Sequence, residues 1–326
     1  MTQTMKAAHI VAPCQLEIIE VGVPSLSGVD GEPLLVELQA GVLCASDFPR
    51  FRGGAFNVTF PRPVGDSLHE IIGRVVESRS PRFQPGDHVL AIPPDQRGLS
   101  QYFIADAAMT VPLPAYERPE CLILAQPLGT VIWAARKLPN LLHKNVVVIG
   151  QGPIGLLFDH LLANLGARRV IGVDRLDYRL EIARRMKATH TINVDRDEAT
   201  EAVRELTAGQ GADVVIEAVG HQHETLHSAI KLCRHEGTVV MFGVPHEEIY
   251  PLPVWELFRK NLRFIGSVHP DVQHDMPLAL DMIVDGRIDV APLITHRFKF
   301  HEAQQAFTTA IQRIGNPIKV LLEATS

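Results

Sequence analysis

The chain is short of several things, and each shortage excludes a class of protein. Only four cysteines occur in 326 residues: Cys14, Cys44, Cys121 and Cys233. They form no CxxC pair and no disulfide-framework spacing, which excludes a stapled secreted scaffold and fits a reducing, cytoplasmic setting. No run of about 18 apolar residues is present, so nothing reads as membrane-spanning. The N-terminal "MTQTMKAAHIV" lacks the apolar core and cleavage site of a signal peptide. Positive charge is not in excess: the formal net charge is −6 and the sequence pI ≈ 6.2. A nucleic-acid surface needs clustered Lys and Arg, so no nucleic-acid partner is expected. The short basic patch "ARRM" reads as a solvated helix face. No internal repeat or low-complexity segment stands out.

What is there suits two domains with sizeable cores, given the length and a 46% apolar content. Residues 5–115 read as short strands broken by Gly and Pro, among them "LLVELQAGV", "IIGRVVES", "DHVLAI" and "SQYFIAD". Many short strands with frequent turn residues predict an antiparallel barrel or sandwich. Near residue 128 the rhythm changes. "NVVVIG" is followed by a helix with Ile154, Leu157, Phe158, Leu161, Leu162 and Leu165 on one side, and strands then alternate with helices through "RVIGV", "YRLEIARRM", "HTINV", "EATEAVRELT", "DVVIEAV", "HETLHSAIKLC" and "GTVVMFGV". That alternation predicts a parallel sheet covered on both faces. The tail from about 267 holds two helices and two strands and is expected to complete the first domain.

"VVVIGQGPIG" places Gly150, Gly152 and Gly155 as GxGxxG between a strand and a helix. The first glycine makes the tight turn, the second admits a pyrophosphate, and the third lets helix and strand pack closely. Such turns also occur for packing alone. Here, however, the next strand ends in Asp174, 19 residues after Gly155, where an acid meets the adenosine ribose hydroxyls. A carboxylate there accepts from a free 2′-OH and repels a 2′-phosphate, so the expected cofactor is NAD. The neighbouring Arg175 reads as an exposed arginine at a helix start.

"AGVLCASDFPRF" sets Cys44 beside a hydroxyl and a carboxylate, and "DSLHEIIGRVVE" offers His69 and Glu70. Thiolate, imidazole and carboxylate are zinc's ligand types, and three protein ligands leave one position open for chemistry. A lone cysteine is more often a small buried hydrophobe, and a His-Glu pair commonly sits on a solvated surface. The residues alone leave both readings open.

The chain resembles the zinc-dependent medium-chain dehydrogenase/reductase superfamily (alcohol dehydrogenase type), nearest the sorbitol/polyol and threonine dehydrogenase branch. "GVLCASD" matches the family's G-x-x-C-G-[ST]-D, "LHEIIGRVVE" its G-H-E-x-x-G-x-V-x-x, and "FQPGDHV" its x-x-x-G-D-x-V. "QPLGTVIWAAR", "VIGQGPIGLL", "DRLDYRLEIA", "GADVVIEAVG" and "PLITHRFKFHEAQQAF" continue the match in family order. The resemblance implies an α/β chain with a GroES-like β-barrel catalytic domain, residues 1–127 together with 267–326, and a Rossmann NAD-binding domain of doubly wound parallel sheet, residues 128–266. The active site would lie in the cleft between them. Cys44 and His69 become zinc ligands, and Glu70 the third ligand or a carboxylate that exchanges with it. Gln126 falls where relatives place an acid or cysteine near the metal. Ser46 matches the hydroxyl that takes the substrate's proton, so the expected catalytic set is Cys44, Ser46, His69 and Glu70. Asp47 would orient His69. Thr130 would touch the nicotinamide amide, Arg179 the adenosine ribose and Lys319 the pyrophosphate. Pro153, Ile154, Val219, Gly243 and Val244 join the three glycines and Asp174 in the cofactor set.

Departures from the family pattern carry consequences. The cysteine-rich lobe that binds a structural zinc is absent, with only "PDQR" between "AIP" and "GLSQYF", so one catalytic zinc per chain and no structural zinc is expected. Leu68 replaces the glycine before the zinc histidine, and Pro49 replaces the histidine that often ends the proton relay. A neutral Gln126 in place of an acid keeps a metal with two anionic ligands a stronger Lewis acid. The expected enzyme is an NAD-dependent zinc dehydrogenase moving hydride between NAD(H) and a secondary alcohol or ketone of polyol, cyclitol or sugar type. Arg50, Arg52, Asn57, Trp133 and His269 are its substrate-contact candidates. The alternatives are a zinc-free enone or quinone reductase of the same superfamily using NAD(P)H, and a non-catalytic NAD-binding protein. A homodimer or homotetramer is implied, pairing edges such as "NLRFIGS".

Overall fold

The computed structural model describes residues 3–53 and 58–324; Asn57 lies outside the described residues. The chain divides into two compact units. One comprises residues 1–129, 271–285 and 293–326, the other 130–270 and 286–292.

The first unit opens with an antiparallel hairpin of β1 (Thr4–Ala12) and β2 (Gln15–Gly22). Strand β3 (Pro33–Val42) leads through a helical turn at Ala45–Asp47 into α1 (Phe48–Arg52). Then come β4 (Glu70–Ser78), β5 (His88–Ala91), β6 (Tyr102–Asp106), β7 (Thr110–Pro112), α2 (Pro119–Leu122) and α3 (Ala125–Ala135), within which the chain passes to the second unit. That unit holds β8 (Asn145–Ile149), α4 (Pro153–Asn164), β9 (Arg169–Asp174), α5 (Asp177–Arg185), β10 (His190–Asn193), α6 (Ala199–Leu206), β11 (Ala212–Glu217), α7 (Glu224–Leu232), β12 (Cys233–Met241), α8 (Val254–Arg259) and β13 (Arg263–Gly266). The chain returns to the first unit with α9 (Val272–Val284), β14 (Ile294–Lys299), α10 (Ala303–Gln312) and β15 (Lys319–Glu323).

In the first unit the strands run β14-β15-β3-β4-β5-β7, with β6 also pairing β3, and every pair is antiparallel except β14 with β15. Strand β3 is central and largely buried, apolar on one face and interrupted by the half-buried Glu37 and Gln39 on the other, whereas β2 alternates buried and exposed positions over its first residues. Its core gathers Ile10, Leu34, Val36, Ile71, Val75 and Phe103, and Phe51 of α1 stacks on Phe307 of α10 with ring centroids 4.7 Å apart. The second unit is a six-stranded parallel sheet ordered β10-β9-β8-β11-β12-β13, the doubly wound arrangement expected of a Rossmann domain. Its strands are buried on both faces and accordingly read as unbroken apolar runs such as Val146–Val148 and Val214–Ile216. Cys233, expected to end a helix, instead opens β12. It is extended (ψ 137°) because it is paired with Ala212 of β11.

Candidate active site

The sheet of the first unit brings distant residues to one end of β3. Val42 pairs with Glu70 on β4 and with Leu321 on β15, and the Leu43 amide continues the ladder to the Val320 carbonyl at 3.0 Å. Cys44 therefore leaves the sheet beside the start of β4 and the start of β15. Among the described residues, Cys44, His69 and Glu70 form a group whose ligand atoms all lie within 4.8 Å of one another; His69 and Glu70 are buried and Cys44 half-buried. Ligands held by zinc at about 2.0–2.3 Å in a tetrahedron sit roughly 3.3–3.8 Å apart. The side chains need to close by only about 1 Å around an ion, and sulfur, nitrogen and oxygen are the donors zinc takes. The residues fit the metal.

Asp47 organises the loop. Its Oδ2 accepts from the Cys44 amide at 2.7 Å, which fixes the turn that carries the thiol. Its Oδ1 accepts from Ser67 Oγ at 2.9 Å and lies 3.2 Å from His69 Nδ1. With Nδ1–H directed at Asp47, Nε2 is the nitrogen left with a lone pair for a metal. Burial alone would push His69 down, but the Asp47 carboxylate, with the Cys44 sulfur, holds its pKa well above the usual histidine range.

One residue upstream of Ser67, Asp66 is fully buried between two guanidiniums. Arg50 Nη1 donates to Oδ1 at 2.9 Å and Arg62 Nε to Oδ2 at 2.6 Å, and Arg50 Nη1 also reaches the Asp95 carbonyl at 3.2 Å. The substrate candidate Arg50 is thus committed to holding the segment that carries Ser67 and His69. Asp66, Ser67 and Arg62 were not singled out in the sequence. The available signal was a pair of adjacent polar residues ahead of His69, in a stretch whose neighbours are apolar and buried.

Glu70 is equally committed. Lys319 Nζ donates to both its oxygens at 2.7 and 2.6 Å and to the Leu43 carbonyl at 3.3 Å, so its three N–H groups are all spent inside the first unit. The lysine is 2% exposed. Burial by itself pushes a lysine down; Glu70 first, then Cys44, more than offset this and raise its pKa above the ordinary value. Ser46 is exposed in the turn after Cys44, Arg52 is exposed at the end of α1, and Gln126 is buried in the first turn of α3.

In the second unit, the expected nucleotide residues gather at the C-terminal ends of the strands. Gly150 follows β8 with φ +91°, a conformation that needs glycine, and a Cβ there would lie 2.6 Å from Val219. A Cβ on Gly155 would lie 1.8 Å from the Gly150 carbonyl, so helix and turn meet only through glycine, whereas one on Gly152 would enter open space. Gly152 and Pro153 start α4, whose first amides are the anion-binding end of a helix. Ile154 follows in its first turn. Asp174 at the end of β9 accepts from the amides of Gln151 (2.7 Å), Arg175 (2.7 Å) and Leu176 (3.0 Å), and Arg179 Nη1 stands 3.6 Å away. Arg175 pairs with Asp195 at 2.8 Å. Glu217, buried at the end of β11, accepts from the amides of Val219 and Gly220 and from Thr225 Oγ1 through Oε1, and its carbonyl accepts from the Gly243 amide. That one acid ties together the loops bearing Val219, Gly243 and Val244; it too was missed in the sequence. An open cradle ringed by glycines, a helix start and a carboxylate fits a dinucleotide. Thr130 is half-buried on α3. Trp133 donates to the Val268 carbonyl at 3.1 Å with Lys137 over its ring at 4.7 Å, a packed position, and His269 is exposed beyond β13.

The known proteins to which this chain is similar are dehydrogenases and reductases by name. Residues 153–285 match a family model described as zinc-binding dehydrogenase. The chain is 25% identical over 357 residues to a D-arabitol-phosphate dehydrogenase of Enterococcus avium, covering 99% of each chain. It is 27% identical over 353 residues to a D-xylulose reductase of Saccharomyces cerevisiae, covering 98% of each. The structure of alcohol dehydrogenase TADH from Thermus sp. ATN1 superposes with a TM-score of 0.88 at 24% identity, covering 98% of this chain and 100% of that one.

Proposed function

We propose that this chain, which belongs to the zinc-binding dehydrogenases of the medium-chain dehydrogenase/reductase superfamily, moves hydride between NAD(H) and a secondary alcohol or ketone on a polyol, cyclitol or sugar-like substrate. The observation that carries the reading is the convergence of Cys44, His69 and Glu70 in one buried group, backed by Asp47. When bound, zinc supplies Lewis acidity that makes an alcohol hydroxyl more acidic, and the nicotinamide supplies the hydride acceptor.

The chain's own residues do the rest. Asp47 fixes the imidazole's tautomer and angle, and Ser67 keeps the accepting oxygen in place. Ser46, exposed beside Cys44, accepts the proton of the substrate hydroxyl by hydrogen bond. We assign Lys319 to Glu70 rather than to a pyrophosphate, because its N–H groups are already used; its charge offsets one of the anions around the ion. Gln126 remains the neutral neighbour of the metal that the resemblance implies. NAD is favoured over NADP because Asp174 presents a carboxylate where a 2′-phosphate would sit. The adjacent Arg175 is occupied by Asp195 rather than waiting for a phosphate. Assembly into a homodimer or homotetramer is supported by the open edge of β13 and the exposed Trp255 and Phe258 of the preceding helix.

The test is an NAD⁺ reduction screen over polyols, polyol phosphates, inositols, aminocyclitols, threonine and simple alcohols, with zinc content measured in parallel. The zinc-loaded protein is compared with Cys44→Ser. One zinc per chain and turnover lost in the variant support the reading. Turnover with enones or quinones that survives chelation establishes the zinc-free reductase instead, and nucleotide binding without any turnover establishes a non-catalytic protein.

A further inference from the structure

The second unit carries a pocket of ≈ 170 Å³ lined by Arg204, Lys231, Arg234, His235, Arg259 and Lys260 among others, and no Asp or Glu lines it. It opens where α6, α7 and α8 end and where β11 and β12 begin. The glycine turn instead follows the C-terminal end of β8, which runs parallel to β11. A strand length of about 17–20 Å separates the two ends of such a sheet, so the pocket is distinct from the nucleotide cradle.

Cations near helix C-termini have an ordinary explanation, because each terminus carries roughly half a negative charge. Lys260 meets that need for α7: its Nζ donates to the carbonyls of Ile230, Lys231 and Cys233 at 2.9–3.0 Å. Arg234 is paired with Asp213 at 2.9 Å and Arg259 with Glu256 at 3.1 Å. Neither Arg204 nor Lys231 makes an ion pair within 4.0 Å among the described residues, although Arg204 is felt by Glu198 at longer range. Five Arg and Lys charges therefore face three helix ends and the carboxylates of Asp213, which Lys144 shares, and Glu256, with Glu198 acting on Arg204 at longer range, and positive charge remains in excess. Burial pushes the Lys260 pKa below its usual value, against the attraction of Glu256 and, to a lesser extent, with the repulsion of Arg259 and Arg204.

We propose that this pocket binds a single phosphate group, free or as a phosphate monoester, through Arg204 and Lys231. Its volume is well below the roughly 300–1,000 Å³ of sites for larger organic ligands, which restricts the buried part of the ligand to one such group. Arg204 on α6 and Lys231 on α7, both exposed at the rim, bring a guanidinium and an ammonium to one pocket, the donor types that hold a phosphate by charge-assisted hydrogen bonds.

Calorimetric titration of the full chain with inorganic phosphate, and separately with glycerol 3-phosphate, tests this, each with and without saturating NADH and against sodium chloride. The expected result is saturable binding that persists with NADH present and weakens by at least about tenfold in Arg204→Gln/Lys231→Gln, as loss of two charged donors implies. The NADH affinity and unfolding midpoint of the variant should stay unchanged. If only the ester binds, the pocket reads a phosphorylated metabolite; if both bind alike, it reads phosphate itself. Heats no larger than those of chloride, binding abolished by NADH, or equal binding by the double variant each overturns the proposal. None of these outcomes bears on the dehydrogenase reading, which the turnover screen decides.

Discussion

Replacing Lys319 by Met keeps the length and apolar stem of the side chain and removes its ammonium. Glu70 is then left with no cation, in a position where both partners are at most 3% exposed and water cannot take over. Truncating one partner of a buried ion pair costs about 3–5 kcal/mol, most of it the penalty of the stranded charge. A divalent ion held by Cys44, His69 and Glu70 would supply the missing positive charge. The variant should therefore lose about that much stability in EDTA and much less in zinc. By linkage, whatever stability zinc restores appears as tighter binding. A recovery of about 2.8 kcal/mol corresponds to roughly a hundredfold gain in zinc affinity, at 1.4 kcal/mol per factor of ten.

The assay is urea unfolding followed by circular dichroism, with zinc affinity from competition against a chromophoric chelator. Both tryptophans, Trp133 and Trp255, belong to the other unit, so an unchanged tryptophan transition shows that the damage is confined to the first. The companion Lys319→Met/Glu70→Leu removes both charges and should recover most of the stability without the gain in zinc affinity. If Lys319→Met is destabilised equally with and without zinc, or binds zinc more weakly than the parent, then Lys319 does not stand in for the metal's charge. The account of Glu70 given above would then be wrong.

Asp47→Asn should weaken zinc binding by about 10–100-fold, the usual effect of losing a ligand's orienting partner. Ser67→Ala should weaken it less and Ser67→Thr less still; chelator competition that ranks the three otherwise refutes the chain of contacts. Asp174→Ala strands three backbone amides and removes the ribose acceptor, so NAD⁺ affinity should drop and the NAD-to-NADP ratio of kcat/KM should fall; a parent enzyme that already prefers NADP defeats the assignment. Asp159 is fully buried on α4, and among the described residues its two oxygens and Gln151 Oε1 have no hydrogen-bond partner, so a proton on the acid would remove an uncompensated buried charge. Burial, only partly offset by Gln151, raises its pKa well above the ordinary value. The folded chain thus holds this proton to higher pH than the unfolded one, and stability is fully present below about pH 4 and lost as pH rises, by about 1.4 kcal/mol per unit until the folded pKa is passed. Asp159→Asn should lack this slope in urea unfolding followed by tryptophan fluorescence, and parallel pH profiles would show the acid to be already ionised.

The parallel sheet was legible because strands buried on both faces must be apolar throughout, and Val146–Val148 and Val214–Ile216 carry that mark without reference to anything distant. The nucleotide turn was legible for a similar reason: Gly150 and Gly155 answer to local geometry, a positive φ and an approach of 1.8 Å. The metal group was not legible from its residues alone, since Cys44 and His69 meet through the β3–β4 register rather than through any spacing, and only the family resemblance named them. Lys319 was read as a pyrophosphate contact because no local pattern links it to a carboxylate 249 residues away. Arg50 was offered to the substrate because a sequence does not reveal that a buried aspartate sixteen residues on has claimed it. What escaped, in each case, was a polar group paired across the chain.

Those pairings share a logic. The group around the expected ion has three anions close together, Cys44 as thiolate, Glu70 and Asp47, and one buried cation, Lys319. With a divalent ion and a neutral His69 the formal charges cancel; without the lysine the site would be negative and would oppose the build-up of charge on a substrate oxygen. If Gln126 neighbours the metal as the resemblance implies, an acid there would bring the same excess, and a neutral Gln126 and a buried Lys319 would serve one end. Both would keep a bound ion electrophilic. The arrangement also explains why the lysine is deep in the sheet rather than at the surface. Only there, beside Leu43 and one strand from Glu70, does its charge act through a medium of low dielectric, where a single ammonium balances a carboxylate in full.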